Sequence, residues 1–466
     1  MNARCTGFIG SFLVIIALVV LAGTPAAAQT FNSGSTGADG PFSPASNTTL
    51  ALPPTGVFNF TTINIPSGVT VTFTRNAANT PAVLLATGAV TISGTINVSG
   101  ANGGALNRPG SGGPGGFDGA AGGDGVTTAF GGAGLGPGGG TAPGASCGGT
   151  GGSYATAGSG ASGGCGAPGT PAVPYGSPLL RPILGGSGGS GASLSSVPGA
   201  PAGGGGGGGG ALLIASSGTL TLNSGGQLLA DGGTGGGFPG GGGGSGGAIR
   251  LIATALTSAG NLFARGAGGI GFGGSGGLGR IRLEAYTLTV SGTRSPEPTQ
   301  GFPQPVFPGT GQPTLTLASI GGVAVPATPI GNFLAAPDIV LPTGTTNPVA
   351  IALTASNIPL GTVIQVTATP QSGSKTTATS SGLTGSLASS TAAASINLSL
   401  TQTNVLTATA TFPLVASAGG GPIYAEGLVP SIVEGEEVTH VRVAAVLGGA
   451  SRVTYLTRSG REVPLP

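Results

Sequence analysis

The densest set of side chains able to do chemistry in this chain is four arginines, Arg250, Arg265, Arg280 and Arg282, set among short apolar runs. Guanidinium groups suit an anion such as a sulfate or a uronate carboxylate, which they grip through paired N–H donors. Cleaving an acidic polysaccharide needs more, namely a general acid and a general base beside the scissile bond. No acid–base pair accompanies these arginines in the sequence. They read as weak anion or glycan contacts, or else as charges that keep strand faces in water.

The remaining candidates are sparser. Asp118 and Asp124 sit in Gly-Phe-Asp-Gly and Gly-Gly-Asp-Gly. A calcium site needs several oxygen ligands, and the tandem Gly-Gly-x-Gly-x-Asp repeat that supplies them does not occur, so both read as turn residues. His440 has Glu434, Glu436 and Glu437 nearby but no second imidazole and no nucleophile. Ser187 and Ser190 fall in G-x-S-x-G strings that glycine abundance produces by itself, without the strand-to-helix setting of a nucleophile elbow. Thr70, Thr72, Thr91, Thr95, Thr219 and Thr221 are placed to line one strand face. Neither Cys147 nor Cys165 belongs to a CxxC unit, so zinc and redox chemistry have no support. A bridge between them would close a loop of fewer than about 20 residues, worth about 3 kcal/mol on chain-entropy grounds. Two free thiols, or bonds to a partner, are the alternatives. No set of residues calls for a cofactor or a metal.

These residues need elements to hold them, and the apolar pattern supplies short strands. The runs Val83–Gly88, Val90–Gly94 and Thr95–Gly100 recur as Ala211–Gly218, Thr219–Gly225 and Gln227–Gly232. A third copy covers Ile249–Gly266 and a fourth Arg280–Gly292, each with Gly, Ser or Asn at its corners. A repeat of about 20 residues cannot bury its own apolar face, whereas stacked copies can. The pattern predicts an all-β chain with a parallel β-helix-like region over 57–292, a β-sandwich being the alternative arrangement there.

Glycine interrupts the copies at one phase. Tracts at 103–210, 232–247 and 266–279 each follow the strand that ends a copy. Insertions at one repeat position emerge on one face of a stack, so the tracts are expected side by side. Glycine loses the most backbone freedom on ordering, which favours a disordered tract. Against that, solvated linkers carry charge, and the long tract holds only Arg108, Asp118, Asp124 and Arg181. The expectation is therefore an ordered bundle of extended threads, packed closely because they lack side chains. The tracts have no strict G-x-y period, which excludes a collagen helix.

Residues 29–56 read as an irregular segment and 293–312 as a proline-rich linker. Period-two patterning over 313–415 predicts a β-sandwich that is immunoglobulin-like in architecture only, because the Cys-Trp-Cys hallmark is missing. Residues 416–466 read as a small C-terminal β unit, equally an extension of that sandwich.

At the N-terminus Arg4 precedes the apolar run Phe12–Ala22 and the small residues Ala26-Ala27-Ala28. This is the pattern of a secretory signal peptide over 1–28, with an apolar core too short for a membrane span. After its removal no second long apolar segment remains. Of 466 residues 100 are glycine, only 6% are charged, and the net charge is +2. That balance gives no steering toward nucleic acid or an anionic membrane.

The strand–corner–glycine copies ending at Gly100, Gly232 and Gly266 give 57–292 a general resemblance to bacterial secreted glycine-rich, β-helical, adhesin-like surface proteins. The resemblance implies a surface, matrix or attachment component. The expectation is a secreted or cell-surface structural or adhesive protein, not an enzyme, that meets extracellular polysaccharide, matrix, other surface proteins or its own copies. A carbohydrate-binding or polysaccharide-cleaving β-helix protein is the alternative. An aromatic- or carboxylate-lined groove would favour the latter.

Overall fold

The computed structural model describes residues 29–124, 130–162, 167–194, 201–307, 313–327, 329–413, 432–433, 436–446, 452–457 and 462–464. The predicted signal peptide lies outside them. Among the described residues the N-terminal part has fourteen strands: β1 (Gly40–Phe42), β2 (Thr48–Ala51), β3 (Val57–Ile65), β4 (Thr70–Thr74), β5 (Ala82–Ala86), β6 (Val90–Ile92), β7 (Thr95–Asn97), β8 (Ala211–Leu222), β9 (Gln227–Leu229), β10 (Ala248–Ser258), β11 (Asn261–Phe263), β12 (Arg280–Val290), β13 (Arg294–Ser295) and β14 (Thr299–Gly301).

These strands form two parallel sheets between which the chain alternates. One is ordered β1-β3-β5-β8-β10-β12-β14, with β6 beside β3 and β8; the other is ordered β13-β11-β9-β7-β4-β2. Equivalent apolar residues of successive copies stand in register. Leu84, Ile214, Leu251 and Leu283 form one file, and Val71, Ile96, Leu228 and Leu262 another. Both files point into one buried core. The segment expected to be irregular contributes β1 and β2, and the expected linker contributes β13 and β14. Their short runs of Thr, Pro and Gly gave little apolar signal, yet each has a finished sheet edge to pair with.

Every long tract leaves from the second sheet, after β7, β9 or β11, and returns to the first at β8, β10 or β12. The three tracts lie together and bond backbone to backbone. Consecutive N–H groups of one thread go to three different neighbours in rotation. Gly203, Gly206 and Gly209 donate to the carbonyls of Pro239, Gly242 and Ser245. Gly204, Gly207 and Gly210 donate to Gly104, Ala101 and Val98. Gly205, Gly208 and Ala211 donate to Ala120, Phe117 and Pro114, and all nine bonds span 2.7–3.1 Å. The carbonyls of Gly205, Gly206 and Gly207 in turn accept from Gly110, Gly189 and Gly233.

The three-residue rotation is that of an extended threefold thread, which makes no bonds within itself and so offers all of them outward. Gly203–Gly210 avoid the left-handed region, so glycine is required here for space and not for its φ. A methyl group added at Gly205, Gly206 or Gly207 would fall on the carbonyl oxygen of Gly189, Gly233 or Ser111 respectively.

The C-terminal part holds β15 (Thr314–Ile320), β16 (Val323–Ala324), β17 (Val349–Ser356), β18 (Ile364–Pro370), β19 (Thr376–Thr379), β20 (Thr384–Ser386), β21 (Ser389–Ile396), β22 (Asn404–Pro413), β23 (Ile432–Val433), β24 (Glu436–Val446), β25 (Arg452–Thr457) and β26 (Glu462–Pro464). They make two antiparallel sheets, β16-β15-β17-β21-β20 and β19-β18-β22-β24-β25-β26, the latter with β23 beside β24. Strict alternation of buried and exposed residues in β17 and β21 turns Ile351, Leu353, Ala392 and Ala394 inward. Val366, Ala408, Phe412 and Val443 of the other sheet complete the same core. The tail strands β24–β26 extend the sheet of β22 and β18, because β22 offers β24 a free edge.

Candidate functional site

The arginines singled out in the sequence are spoken for by their own structure. Cα partners across β10 and β12 put Arg250 beside Arg282 and Ile252 beside Glu284. Glu284, fully buried, accepts from Arg250 Nε at 3.1 Å and Nη2 at 3.0 Å, from Arg282 Nε at 3.1 Å, and from the Gln304 amide at 2.9 Å. Arg250 is also fully buried, and Arg282 gives another bond to the Gln300 carbonyl at 3.0 Å. Burial lowers the Arg250 pKa and Glu284 opposes that shift. Arg265 pairs with Asp231 at 2.6 Å and lies 4.1 Å from the Phe263 ring centroid. Its pKa is raised, chiefly by the hydrogen bond to Asp231. Arg280 donates to the carbonyls of Tyr175 and Gly176 at 3.1 and 3.0 Å.

Glu284 is the residue that sequence reasoning passed over. The signal was present: it stands two positions from Arg282 in one strand, hence on the same face, and alignment of the copies brings Arg250 to that face. Arg181 adds a third cation to this region. It is 7% exposed, its Nε is buried without a hydrogen-bond partner, and its pKa is lowered first by burial and then by Arg250.

Asp118 is buried and accepts from Arg75 at 2.8 Å and from the Gly112 amide at 2.7 Å, so it ties a thread to the strand region. Among the described residues no group of three or more His, Cys, Asp or Glu could hold a metal ion. His440 is exposed, with Nδ1 3.0 Å from Thr439 Oγ1. Cys147 is buried and disulfide-bonded; Cys165 lies outside the described residues. Ser187 and Ser190 lie inside the thread bundle. Ser187 Oγ accepts from Gly138 at 3.0 Å, and Ser190 Oγ accepts from Thr150 at 2.6 Å. Thr91 and Thr221 align with Thr257 and Thr289 in a file across β6, β8, β10 and β12.

A cleft of about 460 Å³ lies where the antiparallel part meets the glycine bundle. One wall is the outer face of β18, β22, β24 and β25, carrying Gln365, Thr367, Thr407, Thr409 and Thr454. The other wall holds Phe117, Leu135, Tyr175 and Leu184. Phe117 and Leu135 of this wall pack against Val405 of the other. The loop before β19 fixes the two walls together: Ser372 Oγ donates to the Phe130 carbonyl at 2.6 Å, and the Gly373 amide to the Gly131 carbonyl at 3.3 Å.

Lys375 ends that loop and lines the cleft, with Arg442 also in the lining. It is the one lysine of the whole chain. The walls crowd it although water still reaches it, and that desolvation lowers its pKa. Arg442 Nε donates to Thr411 at 3.2 Å. Among the described residues, neither Asp nor Glu lines the cleft.

Comparison of the chain with protein-family models, with curated proteins and with solved structures finds no match. Among the described residues no helix is long and apolar enough to cross a membrane.

Proposed function

We propose that the protein is an exported structural or adhesive component of the cell surface or extracellular matrix, acting by shape and repeated weak contacts and not by turnover. In this reading the two parallel sheets are a β-helix-like scaffold, the thread bundle is its rigid flank, and the antiparallel part is an immunoglobulin-like sandwich with its C-terminal unit attached. The observation that carries the proposal is the bundle. A body hydrogen-bonded through backbone to several neighbours at once, with few charged side chains, suits mechanical or spacing work.

The test expresses the full chain, with its own N-terminus, in a secreting bacterial host. The expected result is a mature protein beginning at Gln29, reachable by antibody on intact cells or found in the medium. Beads coated with it should be retained on polysaccharide or matrix surfaces, and beads coated with Gly206→Val should be retained less. An uncleaved chain confined to the cytoplasm, or coated beads retained no better than bare ones, would overturn the proposal.

A further inference from the structure

We infer that the cleft between the antiparallel part and the glycine bundle is a binding site for an acidic saccharide, whose carboxylate meets Lys375 and whose hydroxyls meet the threonine face. The inference stands on the cleft alone. It does not depend on export or adhesion, and a failed secretion assay leaves it untouched.

Charge is the first ground. The lining carries Lys375 and Arg442 with neither Asp nor Glu among the described residues. A crowded ammonium without a carboxylate beside it is unfavourable, and an entering anion relieves that. Desolvation lowers the Lys375 pKa, and among the described residues no charged neighbour opposes it. The other titratable groups lining the cleft are Arg442 of β24 and Tyr175 of the glycine-bundle wall.

Hydrogen-bonding capacity is the second ground. Strands β18, β22 and β24 lie inside their sheet, so their backbone groups are already paired. A peptide could not add itself as a strand there and would meet side chains alone. What the wall presents is a grid of hydroxyls, each both donor and acceptor, with the Gln365 amide beside it. Cα partners Thr367–Thr407 and Gln365–Thr409 set this grid in two adjacent rows. The facing wall adds the apolar surface of Phe117 and Tyr175. Hydroxyls, one negative charge and an apolar ring face are together the surface of a uronate sugar, whereas an acidic peptide leaves the grid unused.

The test uses the full mature protein and three probes: trigalacturonate, the neutral maltotriose, and tetraglutamate. Calorimetry should show trigalacturonate binding, with little heat from either control. Lys375→Met should weaken binding by about tenfold or more, as expected for one charge-assisted bond. Lys375→Arg should recover much of it. Because the chain has a single lysine, an amine-reactive label read by mass spectrometry reports on the site directly, and trigalacturonate should slow labelling of Lys375. Bound carboxylate raises the lysine pKa, so binding takes up protons, and affinity should fall as pH rises toward the ordinary lysine value of 10.5. Equal binding by Lys375→Met, equal binding of maltotriose, preference for tetraglutamate, or no binding at millimolar sugar would each overturn the inference.

Discussion

Glu284 shows how a buried charge is retained. It accepts four hydrogen bonds from protein donors, two of them from Arg250. Removing one member of such a group leaves the others charged and dry, which costs about 3–5 kcal/mol. Glu284→Ala should therefore lower the urea midpoint strongly. The triple change Arg250→Met, Arg282→Leu, Glu284→Leu should recover most of that loss, since a well-packed apolar replacement removes the charges together. If the single and triple variants unfold at the same midpoint, the network is not the source of the stability. Alignment of the repeat copies makes this group readable in sequence. Lys375 is different: its surroundings depend on where a distant loop docks, and nothing near position 375 announces Phe130 or Gly131.

At the scale of the element, strands and threads carry different amounts of sequence information. The files of Leu, Ile and Val in the parallel sheets mark their own register, so copies and corners are legible. A glycine tract has the phase of its insertion but no side chain to say which neighbour it meets. Its register is inherited from the strand ends that anchor it. One local signal does survive. Ser187, Ser190 and Ser193 recur at every third residue, and their hydroxyls accept from the amides of Gly138, Thr150 and Gly131. Three is the thread period, and that short run states it. Each bond contributes about 1 kcal/mol net, close to the backbone entropy lost per residue, so the bundle holds only when all its neighbours are present. Gly206→Ala should therefore damage more than one contact. The expected result is a loss of at least about 1–3 kcal/mol, with faster amide exchange in residues 101–104, 117–120 and 233–236 together. Exchange altered at position 206 alone would show that the threads are independent.

For the whole molecule the decisive contact is small. The parallel and antiparallel parts meet through the Ser372 and Gly373 bonds and the cluster around Phe117, Leu135 and Val405. Gly132 lies at this junction, and a side chain there would strike the Gln371 carbonyl. Gly132→Val should separate the parts without unfolding either. Small-angle scattering should show a longer particle, and Lys375 should become as reactive to amine labels as a free lysine. Unchanged scattering and labelling would mean that the junction tolerates the side chain. That the chain is all β was legible in the sequence, the parallel sheets from the repeat and the antiparallel ones from period-two alternation. The docking of the two parts was not, because its bonds run through backbone carbonyls and one serine and its apolar cluster joins residues distant in sequence.

The thread arrangement also sets the order of events when the chain is made. Ser99 meets Asp231, 132 residues later, and the carbonyl of Ala101 receives Gly207. The first tract bonds in part to itself, as Gly205 and Gly208 do to Ala120 and Phe117, and its other bonds wait for the second and third tracts. A growing chain can join the threads of the first tract once residues up to about Gly210 have emerged, but Gly203, Gly206 and Gly209 wait for Pro239, Gly242 and Ser245. Contacts this distant in sequence make folding slow. The bundle is therefore complete only after its third tract, which bonds to the second through Gly246 and Gly277, has been made.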